Sequence, residues 1–241
     1  MEIGAGLGAL TIPVAQIAEK VYAVDKDRNI LDILKTELSA NNLTNVVLME
    51  KNILNVDIQA LAETVGRKII VMGNLPYNIS SQILVRLITS RIVVSRAVLM
   101  FQKELAQRIR ALPGCKEYGR LTVMLRYCSD IKKLADVKAS LFFPKPKVDS
   151  EVLEIEFKTL TEHSAIDEAF LFRVVKAGFG NRRKTLRNAL AASELKIDSK
   201  TAAQLLKCSN IDPVRRAETL SVEEFVRLSN TLFKLKTDNF H

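Results

Sequence analysis

Glu2-Ile-Gly-Ala-Gly-Leu-Gly8 stands near the start of the chain, and Val21-Tyr-Ala-Val-Asp25 follows it. Closely spaced glycines let a loop approach a ligand without Cβ clashes, and the helix behind such a loop offers its N-terminus. The apolar run from Val21 reads as a strand with Asp25 at its end, where a carboxylate can accept hydrogen bonds from a ribose diol. Gly4-x-Gly6-x-x-Ala9 fits the loose form of a dinucleotide fingerprint. Glu2, an acid two residues ahead of the first glycine, points instead to a loop for S-adenosylmethionine (SAM). Glu2, Gly4, Gly6 and Asp25 are therefore the candidate cofactor contacts. Only Met1-Glu2-Ile3 precede Gly4, too few for a strand that sits centrally in a sheet. The expectation is that the chain lacks N-terminal residues of a longer form.

Working outward, residues 46–49, 69–72 and 95–101 are further apolar runs of strand length. Residues 29–41, 81–87 and 102–112 carry helical spacing. Residues 121–127 and 152–157 read as late strands, with a rigid extended loop between them at Phe142-Phe-Pro-Lys-Pro-Lys147. Strands alternating with helices predict an α/β fold: a Rossmann-like, mostly parallel sheet covered on both faces. Beyond Lys158 the strands stop. Helical stretches are expected at 170–179, broken by Gly178 and Gly180, and at 185–192, 199–206 and 221–235, the last opened by the capping box Ser221-Val-Glu-Glu224. The expected division is a catalytic, SAM-binding domain over 1–160 and a small helical RNA-binding domain over 161–241, with the boundary at 159–164.

The composition of the 241 residues agrees with a globular protein: 48% are hydrophobic and 26% charged, which excludes wholesale disorder and collagen-like structure. No apolar run approaches the roughly 18 residues of a membrane span, and no signal peptide precedes the first motif. Thirty-six Lys and Arg against 27 Asp and Glu leave a net charge of +9, and the pI is near 9.5. Such a balance suits a polyanionic partner. Cys115, Cys128 and Cys208 are too few and too scattered for a disulfide framework or a zinc site, and His163 and His241 cannot complete a metal cluster. The expectation is a cytoplasmic monomer whose chemistry uses no metal.

Gly73-Asn-Leu-Pro-Tyr-Asn-Ile-Ser80 follows directly on a strand, at the end where doubly wound sheets bind ligands. The exocyclic amine of a base is a poor nucleophile because its lone pair is delocalised into the ring. Two acceptors on its hydrogens draw the nitrogen toward tetrahedral geometry and localise that pair. The Asn74 side-chain oxygen and the Leu75 carbonyl are the candidates. Pro76 stiffens the turn, and Tyr77 offers a face for the base. With the activated methyl of SAM as electrophile, positioning and electrostatics would supply the rate.

With these segments in view, the sequence resembles the KsgA-type ribosomal RNA adenine dimethyltransferases. The resemblance is carried by residues 2–8 and 73–80, Gln102-Lys-Glu104, Tyr118-Gly-Arg-Leu121, Phe142-Phe-Pro-Lys-Pro-Lys-Val-Asp-Ser150 and Phe179-Gly-Asn-Arg-Arg-Lys-Thr-Leu-Arg-Asn188. It implies a class I methyltransferase fold with a helical C-terminal domain. It also implies SAM-dependent dimethylation of N6 on two adjacent adenosines near the 3′ end of small-subunit ribosomal RNA. By the same resemblance Gly4 and its neighbours contact SAM, Asp25 holds its ribose, and Asn74, Leu75 and Tyr77 hold the adenine. Phe142 packs on the base from the other side and Phe143 is packing. Asn52 stands where the family often has an acid for the SAM adenine amine, and an amide oxygen can accept the same bond. An N-terminal Gln-Asn-Phe motif that helps enclose SAM in the family has no counterpart in this sequence.

Lys176, Arg182, Arg183, Lys184 and Arg187 form a stretch without an acid, suited to phosphate contacts, and Lys145 and Lys147 stand beside the expected pocket. The target base must be single-stranded, looped or flipped out. Arg215 and Arg216 are assigned to the surface, and Phe170, Phe172 and Phe225 to the core. Three rival readings remain: a resistance-type methyltransferase of large-subunit RNA, a non-catalytic RNA-binding assembly factor, and, from the glycine spacing alone, an NAD-dependent dehydrogenase.

Overall fold

Two-residue strand β1 (Glu2–Ile3) pairs in parallel with β2 (Val21–Asp25) on one side and β4 (Ile69–Asn74) on the other. It is central, despite a length that argued against that place. The structure, a computed structural model, describes residues 1–158 and 164–238. His163, His241 and most of the expected boundary at 159–164 lie outside them. With β3 (Val46–Glu50), β5 (Val94–Gln102), β6 (Ser129–Val137) and β7 (Ser150–Phe157), the sheet has the order β3-β2-β1-β4-β5-β7-β6. The first five strands are parallel. β7 runs antiparallel to β5, and β6 antiparallel to β7.

Helices form where apolar residues recur at helical spacing. α2 (Arg28–Ala40) buries Leu31, Leu34 and Leu38, and Asp27 caps it by accepting from the Asn29 N–H at 2.9 Å. α4 (Ser80–Thr89) buries Ile83, Leu84, Leu87 and Ile88. A short α1 (Thr11–Ala15) follows the glycine loop, and α3 (Ile58–Val65), which sequence reading passed over, precedes β4.

The chain divides into two units, Met1–Ala106 with Ser129–Lys158, and Gln107–Cys128 with Thr159–His241. The expected single boundary near residue 160 meets a more interleaved division, which falls inside α5 (Lys103–Arg110). Residues 121–127, expected as a strand, belong to helix α6 (Arg120–Cys128) in the second unit. Thr122, Val123, Met124, Leu125, Tyr127 and Cys128 are all buried, so no polar face marks the helical period. The second unit also holds α7 (Glu168–Phe179), α8 (Leu186–Ala191), α9 (Ser199–Cys208) and α10 (Val222–Asp238). Its core is aromatic. Phe179 stacks on Phe225 with ring centroids 5.8 Å apart and lies 6.2 Å from Tyr118, and Phe172 meets Tyr127 edge-on.

The capping box of α10 is formed as expected: the Ser221 N–H donates to the Glu224 carboxylate, and the Glu224 N–H to the Ser221 hydroxyl. Gly178 does not break α7. It lies within the helix because a Cβ there would stand 3.2 Å from Leu186 and 3.4 Å from Phe225; Gly180 is the capping residue.

Candidate functional site

Register alone brings the three sequence motifs of the first unit to one edge. β1, β2 and β4 are parallel, with Ile3 level with Val24 and Glu2 level with Met72. Gly4, Asp25 and Asn74 are the next positions along, so all three leave the sheet at its carboxyl ends. Gly73 is the fitting point: a Cβ there would stand 2.3 Å from the Ile3 carbonyl oxygen, so only glycine lets β1 and β4 meet at this height.

The glycine loop turns through left-handed backbone at Gly4 (φ 74°), Gly6 (φ 55°) and Gly8 (φ 92°). A Cβ at Gly4 would press on the Asn74 carbonyl oxygen at 3.3 Å, while Gly6 faces open space. The loop is tied to β2 by the Gly4 N–H, which donates to the Val24 carbonyl at 2.9 Å. The Asp25 carboxylate accepts from the Gly6 N–H at 3.1 Å through one oxygen and from the Asp27 N–H at 3.1 Å through the other. Each oxygen keeps a further lone pair for a ligand. Lys51 N–H donates to the Asp25 carbonyl, which brings Asn52 next to this strand end. Asn52 is exposed, and its side-chain oxygen accepts from the Leu54 N–H at 3.0 Å.

Glu2 has a different place from the other cofactor candidates. It is buried at 1% exposure, and the Thr11 hydroxyl donates to its carboxylate at 2.6 Å. Burial pushes its pKa up to about 7, against the pull of the Thr11 hydrogen bond. Glu2 therefore fastens the loop to the start of α1 from below.

At the end of β4, Asn74 is exposed and its side chain bonds to no other described residue. Leu75 sinks its side chain into the core at 2% exposure, which fixes the carbonyl beside it. The Pro76 carbonyl accepts from the Ser80 hydroxyl at 2.9 Å and the Ile79 N–H at 3.2 Å, closing the turn into α4. The half-buried Tyr77 has its hydroxyl 3.2 Å from the Ser150 hydroxyl at the start of β7. Ser150 and Asp149 were not singled out as site residues. Asp149 accepts from the Ala139 N–H through its side chain and from the Lys103 N–H through its carbonyl, both at 2.9 Å. These two bonds close the loop over residues 139–149 and hold it beside Tyr77. The polar pair at the end of the Phe-Pro-Lys-Pro-Lys-Val stretch was the available signal.

In that loop Phe142 is half-buried and its backbone is extended (φ −112°, ψ 148°). Phe143, expected as packing, is fully exposed at 102%. In extended chain successive side chains point to opposite sides, so one ring turns in and the next turns out. Lys145 and Lys147 are exposed.

In the second unit the basic stretch is not uniform. Arg182 donates to the Lys116 and Tyr118 carbonyls at 2.6 and 2.9 Å and lies 3.8 Å from Glu218, so it braces the fold. Lys176 pairs with Glu194, and Arg187 bonds to Asn188. Arg183 and Lys184 are exposed and bond through their side chains to no other described residue. Arg215, assigned to the surface, grips both oxygens of Glu224 and the Thr219 carbonyl. Among the described residues no group of His, Cys, Asp and Glu could hold a metal ion, and no helix is long and apolar enough to cross a membrane.

Residues 1–234 match the sequence pattern of the family described as "Ribosomal RNA adenine dimethylase". A "Ribosomal RNA small subunit methyltransferase A" from Desulforapulum autotrophicum is 55% identical over 235 residues, 98% of this chain and 82% of that protein. One of the same description from Clostridioides difficile is 40% identical over 96% of this chain and 80% of its own length. The crystal structure of a dimethyladenosine transferase from Plasmodium falciparum superposes with a TM-score of 0.80 at 26% identity, over 99% of this chain and 90% of that one. The 23S rRNA methyltransferase ErmE, at 21% identity and a TM-score of 0.69 over 96% of this chain and 89% of its own, shares the fold.

Proposed function

The chain belongs to the ribosomal RNA adenine dimethylase family, and we propose that it transfers methyl groups from SAM to N6 of two adjacent adenosines near the 3′ end of small-subunit ribosomal RNA. The fold is that of class I SAM-dependent methyltransferases, with a helical C-terminal region. One observation carries the reading of the site: the Gly4–Gly8 loop, Asp25 and the exposed Asn74 leave the same sheet edge side by side. A dehydrogenase needs the first two of these and has no use for the third. Matches over nearly the whole chain to small-subunit methyltransferases weigh against the large-subunit and non-catalytic alternatives.

The residues present fit the cofactor. A Cβ at Gly4 would press on the Asn74 carbonyl oxygen at 3.3 Å, Gly6 faces open space, and the Asp25 carboxylate is aimed by two backbone N–H groups. Gly4, Gly6, Asp25, Asn52 and the backbone of Asn74 would hold SAM, which supplies, when bound, a methyl group activated by its sulfonium. Glu2 supports the loop from beneath.

The protein's share of the chemistry is to prepare the amine. In the first transfer Asn74 Oδ1 and the Leu75 carbonyl accept the two N6 hydrogens and localise the nitrogen lone pair; in the second, the one remaining N6 hydrogen is held by one of the two oxygens. Tyr77, anchored by Ser150, presents its face to the purine, and Phe142 covers the other side. Neither an amide nor a peptide carbonyl is a base at neutral pH. The proton therefore leaves after the methyl has arrived, to water at the exposed Asn74. Lys145, Lys147, Arg183, Lys184 and Arg187 take phosphates. In this reading the protein works as a cytoplasmic monomer on small-subunit ribosomal RNA, either free or within an assembling small subunit.

The test is labelled methyl transfer from SAM to unmethylated small and large ribosomal subunits, with the product nucleoside identified by mass. N6,N6-dimethyladenosine in the small subunit alone is the expected result. Label in the large subunit alone, or binding of small-subunit RNA with no transfer at all, refutes it.

A further inference from the structure

Phe143 is an aromatic ring standing wholly in water, yet the loop that carries it is not loose. Asp149 ties the loop's two ends together, and Ser150 fixes its exit to Tyr77. Leu141 and Val148 are also exposed, at 75% and 44%, and between them stand Lys145 and Lys147 and no acid. An exposed ring followed by two cations matches the chemistry that binds single-stranded nucleic acid: the ring stacks a base of any identity, and the cations track its phosphates.

We propose that Phe143 is a stacking shelf for the nucleotide next to the target adenosine. This deepens the function proposed above and rests on it. Phe142 and Phe143 have Cα atoms about 3.8 Å apart, and the extended backbone at Phe142 favours opposite sides for the two successive rings. Phe142 is half-buried and Phe143 is free. One strand of protein thus separates two successive bases, the target on the inner ring and its neighbour on the outer one. The shelf keeps the second adenosine out of the pocket while the first is modified, and takes the first in its turn.

The experiment uses a short single-stranded RNA with 2-aminopurine beside a target adenosine, titrated with the full chain. Stacking quenches the fluorescence. The parent and Phe143→Tyr are expected to quench it. Phe143→Leu, apolar without a stacking face, is expected to bind about tenfold more weakly and to leave the probe bright at saturation. Because the ring packs against nothing, circular dichroism should show both variants folded as the parent is. Equal quenching by Phe143→Leu overturns the shelf, and so does a parent that quenches nothing. Methyl transfer to unmethylated small subunits is read separately. Its absence in the parent counts against the proposed function, whereas the quenching judges the shelf.

Discussion

Asn74→Ala isolates the step on which the catalytic argument depends. The substitution removes one of two oxygens offered to the N6 hydrogens and little else. Asn74 is exposed and its side chain is hydrogen-bonded to no described residue, so no buried partner is orphaned. A surface change of this kind shifts stability by no more than about 0.5 kcal/mol. The backbone carbonyl that lies against Gly4 is kept, so the loop should hold its shape and SAM affinity should stay within a few-fold. Removing one preorganised hydrogen-bonding group from a transition state costs about 2.7–4 kcal/mol, or roughly 10²–10³ in rate. The expected result is a loss of that size in single-turnover transfer at saturating SAM and RNA. Calorimetry should show cofactor binding, and denaturant unfolding should show stability, nearly unchanged. A variant that transfers methyl within a few-fold of the parent would refute the two-acceptor mechanism. One that lost SAM binding and activity together would show that the side chain belongs to the cofactor site instead.

Further outcomes follow from other parts of the molecule. Glu2 has a pKa raised by burial to about 7, so the native state holds its proton more tightly than the unfolded chain does. Its contribution is therefore full below about pH 4.5 and is lost as pH rises through 7. Glu2→Gln should abolish that part of the pH dependence, seen as a difference between the two unfolding profiles that grows from about pH 4.5 to pH 7 and levels off above it; parallel profiles would contradict it. Gly73→Ala places a Cβ 2.3 Å from the Ile3 carbonyl oxygen, so it should force β1 from β4 and lower the melting temperature by many degrees, as calorimetry would report. Neutralising Arg183 and Lys184 together should flatten the slope of log K against log salt by about 1.4–1.8, measured by RNA titration at several ionic strengths. Arg182→Ala should instead lower stability to denaturant, because it deserts the Lys116 and Tyr118 carbonyls.

Much of this was readable from residues alone, and the failures have physical causes. The parallel strands announced themselves because buried strands are short apolar runs. α6 misled because Thr122 to Cys128 is apolar around nearly its whole circumference, and a run of that length suits a strand equally well. β6 was overlooked for the opposite reason: it is an edge strand, and Asp130, Lys132 and Lys133 give it the charged character that protects an edge. The candidate site was legible at Gly4, Asp25 and Asn74 because backbone geometry and strand ends dictate those residue types. Charge counting could not tell Arg182 from Arg183, since which cation turns toward a carbonyl depends on residues some 65 positions away. Phe143 was expected to pack, and its full exposure has no signal in the residue type itself.

The double grip of Asp25 carries a warning for mutagenesis. Its two oxygens receive two amide protons, one from Gly6 and one from Asp27. An asparagine of the same shape has one oxygen and one NH2 group, so one of those amide protons would face another donor. The loop would be frustrated before any nucleoside arrived. A weakened affinity in Asp25→Asn would then report a misshapen receptor as much as a missing contact. The two can be told apart only by ligands that lack the sugar hydroxyls.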